Sequence, residues 1–487
     1  VAHVITVTNV SDSGPGSLRA AIAAAPSSYT INFDLMLPAT IPLKTPLTLG
    51  KALSIVGPGA SNLTISGQDR VGVFIVNAGS TVAMSGLTIA HGSFLLGGGI
   101  FNAGTLTLSG VAVSNNTQGT QLGGGIFNSG TLNLSGSTVF ANAAGYGAKV
   151  NSGENGLGGG IYNAGNLNVS NSSFSDNTAI GYQNSEIATH GNANGGGIFN
   201  AQGLVTLTNT SLTNNTAGNP VAGNGGGVFT ESGTVTVVDC TFANNHAAGV
   251  NAGGGGGIYS DAATVTVANS TFSGNTAFDS GGGGGSISLA SGGGIYAYQG
   301  AVTIVNSTFT GNNVANDGGA IWFFAAPGSG GLTVAFSTFS GNVASQGSAI
   351  SEGGTGMFRV KSSIFANSFN TCSFSPGASD GYNLSDDKNC PLGAPTDMKN
   401  VPAGLNPDGL ENNGGPTQTV ALLASSPAVN AIPLSSCTTI SGSQVSTDQR
   451  GVSRPQGGGC DIGAYELAPA RFIPPLPPQP NPPSSLK

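Results

Sequence analysis

Nine carboxylates and three histidines lie between residues 91 and 352, and they are the side chains of the repeats that could do chemistry. They are Glu154, Asp176, Glu186, Glu231, Asp239, Asp261, Asp279, Asp317 and Glu352, with His91, His190 and His246. A polysaccharide hydrolase needs two or three carboxylates about 5–10 Å apart. A lyase needs a basic side chain and Ca²⁺-binding carboxylates grouped on one face. The spacing here favours neither. Asp176 follows Phe174 by two positions, whereas Asp239 precedes Phe242 by three, so the two cannot share a register. The histidines are isolated and no nucleophile–base pair stands out, so these groups read as solvated loop residues. Near the C-terminus Asp386, Asp387, Asp448, Asp461 and Glu466 offer oxygens of the kind Ca²⁺ takes, without a diagnostic ligand spacing. Loop-stabilising hydrogen bonds account for them more simply. No catalytic residue and no cofactor are assigned.

What does recur is a short phrase. "GGGIFNAGTLTLSG" begins at Gly97, and close copies begin at Gly123, Gly158 and Gly195. An aromatic follows the glycine-led Ile or Val at Phe101, Phe127, Tyr162, Phe199, Phe229, Tyr259, Tyr296 and Trp322. Adjacent strand residues point to opposite faces, so either the aliphatic or the aromatic row faces outward, unless the glycines bend the strand and turn both inward. An outward aromatic row would be a binding surface, for a sugar or for another rod. A second row, Thr107, Thr206, Thr236, Thr266, Thr303 and Thr333, is interrupted by Asn133 and Asn168. A flat Thr array would suit ice, but the interruptions and uneven coil lengths spoil a lattice match, and β-propensity explains threonine there.

Each phrase belongs to a unit with three apolar segments: the glycine-led one, a strictly alternating one such as Leu106-Thr107-Leu108, and F-x-x-N, as in Phe174 to Asn177. Nine copies of the last segment, 25 to 38 residues apart, end in Asn116, Asn142, Asn177, Asn215, Asn245, Asn275, Asn312, Asn342 and Asn367, with Val113, Val139, Leu212 and Ile364 replacing the Phe in four. Three short strands cannot bury a face alone, whereas stacked coils form a continuous interior. The expected fold is all-β, a right-handed parallel β-helix (solenoid), with the asparagines hydrogen-bonded at one turn in αL-tolerant geometry. Insertions such as "AAGYGAKVNSGENGL" and "FDSGGGGGSISLAS" leave as loops. N-x-S/T sequons, as at Asn115, Asn269 and Asn306, fall at turns.

The expected organisation is an N-terminal strand and short helical cap over 1–50, repeats over 51–367, a loop-rich C-terminal module over 368–466 and a Pro-rich tail over 467–487. In "GPGSLRAAIAAAP" Ser17 is the helix N-cap, Leu18 and Ile22 share a face and Pro26 stops the helix. The tail has eight prolines in 21 residues, an extended polyproline-type composition with Phe472, Ile473 and Leu476 as apolar anchors for a neighbouring subunit. The strand-like "HVITVTNV" at the other end could pair with a neighbour's open edge.

Composition narrows the partners. Only 7% of residues are charged, the net charge is −8, and Lys149 is the one cation between Arg70 and Arg359. Nucleic acid and anionic membranes are poor partners, as is a polyanionic polysaccharide on the repeats. No apolar run reaches membrane-span length. Cys372 with Cys390 and Cys437 with Cys460 read as two local disulfides of an oxidising compartment, and Cys240 as a buried thiol. The chain opens at Val1 without a methionine, which fits removal of a signal peptide.

The opening "DSGPGSLRAAIAAA" resembles the N-terminal segment of CSLREA-type secreted bacterial proteins, although the Cys of that name is absent. The GGGI…F-x-x-N repeats look like those of polymorphic outer-membrane (Pmp-type) β-helix proteins. "GYNLSDDKNC…NNGGPTQTVALLASSPAVNA…TDQRGVSRPQGGGCDIGAYE" is similar to the C-terminal module of choice-of-anchor Q proteins. The resemblance implies a secreted or surface-displayed bacterial β-helix and carries over no catalytic residue. The expectation is therefore an extracellular, non-catalytic structural or adhesive protein, able to bind a surface glycan or assemble head to tail into filaments. A carbohydrate-active enzyme and an ice-binding solenoid are the alternatives.

Overall fold

A computed structural model describes residues 3–118, 122–145, 155–181, 183–184, 189–218, 223–249, 253–279 and 290–468. One coil shows how the phrase folds. After the Gly97–Gly99 corner the chain runs through Ile100–Asn102, Thr105–Ser109, Ala112–Ser114 and Thr117–Gln118, one strand in each of four sheets, here called I to IV. The next coil pairs in parallel and in register: Ile100 with Ile126, Leu106 with Leu132, Val113 with Val139, Thr117 with Ala143. Among the described residues sheets I, II and III hold 12, 13 and 14 strands, and sheet IV holds 7. The expected all-β parallel β-helix is the observed fold. Thirteen strands about 4.8 Å apart make a stack on the order of 60 Å long.

Alternation decides what is inside. Ile100, Leu106, Leu108 and Val113 are fully buried, as are their counterparts in later coils. The Phe of F-x-x-N forms an internal ring stack from Phe242 through Phe272, Phe309 and Phe339 to Phe365, with centroids 4.6–5.2 Å apart. Each such side chain contributes about 1.5–3 kcal/mol by leaving water.

Two corners need special backbone. At the glycine corner, Gly195 has φ +67°, and a Cβ on Gly196 would stand 2.5 Å from the carbonyl oxygens of Gly226 and Thr216. No other residue fits so close to the neighbouring coil. At the sheet III corner the left-handed residue is the one before the ladder position, which is asparagine from Asn116 to Asn342: Asn115, Ala141, Asp176, Asn214 and Asn244, then glycines, with His91 before Gly92 and Asn367 before Ser368 at the two ends. The stacked asparagines themselves are not left-handed, contrary to expectation. The row also corrects the register of the last coil. Phe339 pairs with Phe365, not Ile364, so Asn367 is an exposed corner residue and Ser368 takes the ladder position. The doublet Ile364-Phe365 hid this, because both residues are apolar.

The ends differ from a simple cap-and-tail scheme. Helix α1 (Leu18–Ala24) is capped by Ser17, whose Oγ accepts from Ala20 N, and it buries Leu18, Ala21 and Ile22 over the core. Sheet II already begins with Val4–Val7 and Tyr29–Phe33, before residue 51. Beyond 367, Cys372–Ser373 extends sheet I, and Leu384–Ser385 and Met398–Lys399 extend sheet III. Past residue 400 the chain turns back along the outside of sheet III. Gln449 is fully buried there: its Oε1 accepts from Thr308 Oγ1 at 2.6 Å and its Nε2 donates to Thr271 Oγ1 at 2.8 Å. Asn306 Nδ2 donates to Thr447 O and Ala464 N donates to Thr338 Oγ1, while Ile364 and Phe336 pack against the module's own core. Both expected disulfides form, Cys372–Cys390 and Cys437–Cys460, and Cys240 is a buried thiol. The tail anchors Phe472, Ile473 and Leu476 lie outside the described residues.

Candidate functional site

Sheet I decides the orientation of the repeated aromatics. Ile100, Ile126, Ile161, Ile198, Val228, Ile258, Ile295 and Ile321 are fully buried, so the residue after each points outward. All eight aromatics from Phe101 to Trp322 form one file. Neighbouring centroids are 5.4 Å apart at the Phe101 end and 4.3 Å at the Trp322 end, with interplanar angles of 2–22°. Parallel rings this close cannot lie side by side in one plane, because a ring is wider than the spacing. They overlap as an offset stack, and each interior ring gives much of its faces to its neighbours. Phe199 and Phe229 are only 4% and 7% exposed. The middle of the row is therefore a surface-laid spine that joins the coils, rather than a run of free platforms.

Towards the C-terminus the file becomes a double column. Two residues after the main aromatic, the next outward position holds Ala103, Ser129, Ala164 and Ala201 in early coils, then Glu231 and Asp261, then Tyr298 and Phe324. Tyr298 stacks on Phe324 at 5.2 Å, and Trp322 lies nearly parallel to Phe324 at 6.0 Å. Tyr296, Tyr298, Trp322 and Phe324 thus make a block two rings wide, all partly exposed. In the next coil Ser351 pairs with Trp322, and the indole leans over Gly353, where a Cβ would come 2.8 Å from Trp322 Cζ2. Burial pushes the Tyr296 phenol up to about 12, and raises that of Tyr259 as well, so both stay neutral hydroxyls. Burial also raises the carboxyls of Asp261, beside Tyr298 in the column, and of Asp317, whose backbone pairs in parallel with Ser291 and Gln346 at the strand entrance.

The other repeated polar residues hold the coils together. Asn116, Asn142, Asn177, Asn215, Asn245, Asn275, Asn312 and Asn342 form a buried ladder in which each Nδ2 donates to the next Oδ1 at 2.9–3.0 Å. The same Oδ1 also accepts the preceding asparagine's backbone N–H, for example Asn177 N to Asn215 Oδ1. A second ladder escaped the sequence reading: Asn102, Asn128, Asn163 and Asn200, ending on Thr230. Its signal, the Asn that closes "IFN" and "IYN", was present in the phrase. Cys240 belongs to a third row, of Ser and Thr. Its N–H donates to Ser270 Oγ, its thiol donates to Val238 O, and burial pushes the thiol up to about 12.

The isolated acids and histidines have structural places. Asp176, Asp239 and His91 sit at left-handed corners. His246 Nδ1 is 2.6 Å from Thr276 Oγ1, with its basicity lowered by burial. Glu352 accepts from Ser375 N. Glu154 and Glu186, and the side chains of His190 and Asp279, lie outside what is described. The threonine row is in register, and Asn168 donates to Asn133 where it breaks. Asn306 is buried under the C-terminal module, which closes that sequon to modification.

The C-terminal acids satisfy arginines and backbone amides. Arg454 and Glu466 form a buried pair at 2.8 Å, and Arg454 also donates to the carbonyls of Asp461 and Gly463. Asp448 accepts from Arg450, which lies 3.5 Å over the Tyr465 ring. Asp461 accepts from Asn430 N and Leu467 N, Asp386 from Asn367 N, and Asp387 from Thr371 N and Asn389 N. Among the described residues no three or more His, Cys, Asp or Glu side chains gather as a metal site.

Comparison with known proteins bears on the repeats. The family model described as the Chlamydia polymorphic membrane protein (Chlamydia_PMP) repeat matches residues 239–261 and 306–323, so these repeats are Pmp-like. No curated protein matches the chain. Among solved structures, the crystal structure of pectate lyase Pel9A aligns over 96% of this chain and 97% of its own, at 13% identity and TM-score 0.43. Geobacillus virus E2 ORF18 aligns over 73% of this chain and 61% of its own, at 11% identity and TM-score 0.22. No helix among the described residues is long and apolar enough to cross a membrane.

Proposed function

We propose that this chain is an extracellular adhesive rod displayed at a cell surface, with no catalytic activity. The observation that carries this reading is the role of what repeats: stacked amides and stacked rings, which join coil to coil and stiffen a long surface. Pmp-like repeats support surface display, and the paired cysteines support an oxidising location. The CSLREA-type and choice-of-anchor Q resemblances belong to the same reading. The test is incubation of the full chain with neutral and acidic polysaccharides, read by new reducing ends and by unsaturated products. Unchanged polymers, with protein retained on cells or on a glycan-coated surface, are the expected result. Release of product from any polymer would sink the non-catalytic reading.

A second feature supports head-to-tail assembly. Val4–Val7 pairs with Tyr29–Phe33 and forms the edge of sheet II, with Val4 46% exposed. Such an edge offers unpaired backbone groups to another chain. Negative-stain electron microscopy of the intact chain should show fibres, and removal of residues 468–487 should leave single rods. Isolated rods from the intact chain would refute assembly, and fibres that survive the deletion would refute the tail's part in it.

A further inference from the structure

The aromatic block at the end of the file differs from the rest of the row in three ways. It is two rings wide, formed by Tyr296, Tyr298, Trp322 and Phe324. It also ends abruptly, because Ser351 and Gly353 replace aromatics in the next coil, and among the described residues no further ring follows Trp322 and Phe324 on that side, where the indole meets only the Gly353 backbone. The third difference is its company of carboxylates, with Glu231 and Asp261 in the outward column that continues into Tyr298.

The carboxylates are the informative part. Asp261 and Asp317 are half-buried, and no ion pair or side-chain hydrogen bond engages either of them among the described residues. Taking a carboxylate from water without a partner costs free energy. The ring block alone does not require them, since four early coils carry Ala or Ser at that column. A ligand that brings hydroxyl donors to these oxygens while covering an aromatic face would offset the cost. Charge then narrows the ligand. Among the described residues no Lys or Arg occurs between Arg70 and Arg359, and Arg359 is itself paired with Asp380. Uronates, sulfates and phosphates would meet carboxylates with no cation to hold them.

We infer that the Tyr296–Phe324 block is a binding site for a neutral glycan chain that runs along the column, with one pyranose against Trp322 and Phe324 and another residue of the same chain, two strand spacings or about 10 Å away past Tyr298, donating hydroxyls to Asp261. This deepens the adhesive reading and rests on it. The ligand class follows from an apolar ring face with directional hydroxyls, which matches aromatic rings bordered by acceptors.

Trp322 is the chain's single tryptophan, so its fluorescence reports this site alone. The full chain would be titrated with cellohexaose, xylohexaose, mannohexaose and maltohexaose, and with trigalacturonate as the acidic probe. A saturable change in Trp322 emission with at least one neutral hexaose, and none with trigalacturonate, is the expected result. Asp261→Asn and Phe324→Ala should each weaken that binding about tenfold or more, with the ordered fold checked by circular dichroism. Phe101→Ala, at the far end of the file, should leave affinity unchanged. Silence towards all four neutral hexaoses at millimolar concentration overturns the inference, as does equal binding of trigalacturonate or unchanged affinity in Asp261→Asn. Cell-surface retention of the same preparation separates the two levels: retention with a silent Trp322 removes only this site, whereas loss of retention removes the adhesive reading itself.

Discussion

At the scale of residues, the asparagines carry more of this structure than any charged group. Asn215 gives its amide to Asn245 and to Phe174 O, and receives both the amide and the backbone N–H of Asn177. Asn215→Ala would strand those buried partners, and unsatisfied buried groups cost about 1–3 kcal/mol each. We expect a loss of about 2–4 kcal/mol in urea unfolding. Asn367→Gly, at an exposed left-handed corner that Gly274, Gly311 and Gly341 fill in other coils, should change stability by under about 0.5 kcal/mol, which checks the corrected register. Asp261 gives a pH signature. Burial raises its carboxyl, so the folded chain holds that proton more tightly than the unfolded chain. Its ionisation therefore costs stability as pH rises through the carboxylate range. Asp261→Asn should raise Tm at pH 7, and the gain should shrink towards zero as pH falls below the ordinary Asp value, by calorimetry at several pH values.

At the scale of elements, the repeat strands and the C-terminal module are held by different means. Each inner strand is paired on both sides and follows its neighbour's register, so local changes are felt by adjacent coils first. Among the described residues beyond 400 there is one antiparallel strand pair, Leu405–Glu411 with Thr419–Leu422, and three isolated antiparallel bridges, supplemented by the buried Arg454–Glu466 pair, Gln449 and the Cys437–Cys460 disulfide. Closing a loop of that length stabilises by about 3 kcal/mol in the chain-entropy account. Replacing both cysteines with serine should make residues 400–468 sensitive to limited proteolysis at temperatures where the coils stay intact. Equal resistance with and without the bridge would show that the polar network alone holds the module.

At the scale of the whole molecule, the rod is a nearest-neighbour array with one flank covered by its own C-terminal chain. A chain ending at residue 399 should keep its parallel-sheet circular dichroism but expose Phe336 and Ile364, read as dye binding and loss of monodispersity. The sequence alone specified the coil. Alternation such as Leu106-Thr107-Leu108, the glycine corner and the F-x-x-N spacing are local consequences of strand geometry and turn sterics, repeated until the pattern is unambiguous. It also held the second asparagine ladder, written in plain view at Asn102, Asn128, Asn163 and Asn200. Register at Ile364-Phe365 was not legible, since either residue satisfies the apolar pattern and only pairing with Phe339 chooses between them. The fold-back of Gln449 onto Thr271 and Thr308 joins residues more than 140 positions apart, and no local period encodes such a contact. Tertiary structure alone likewise determined that the outward rings cover one another along most of the row, because ring overlap depends on the spacing between coils and not on the order of residues within one.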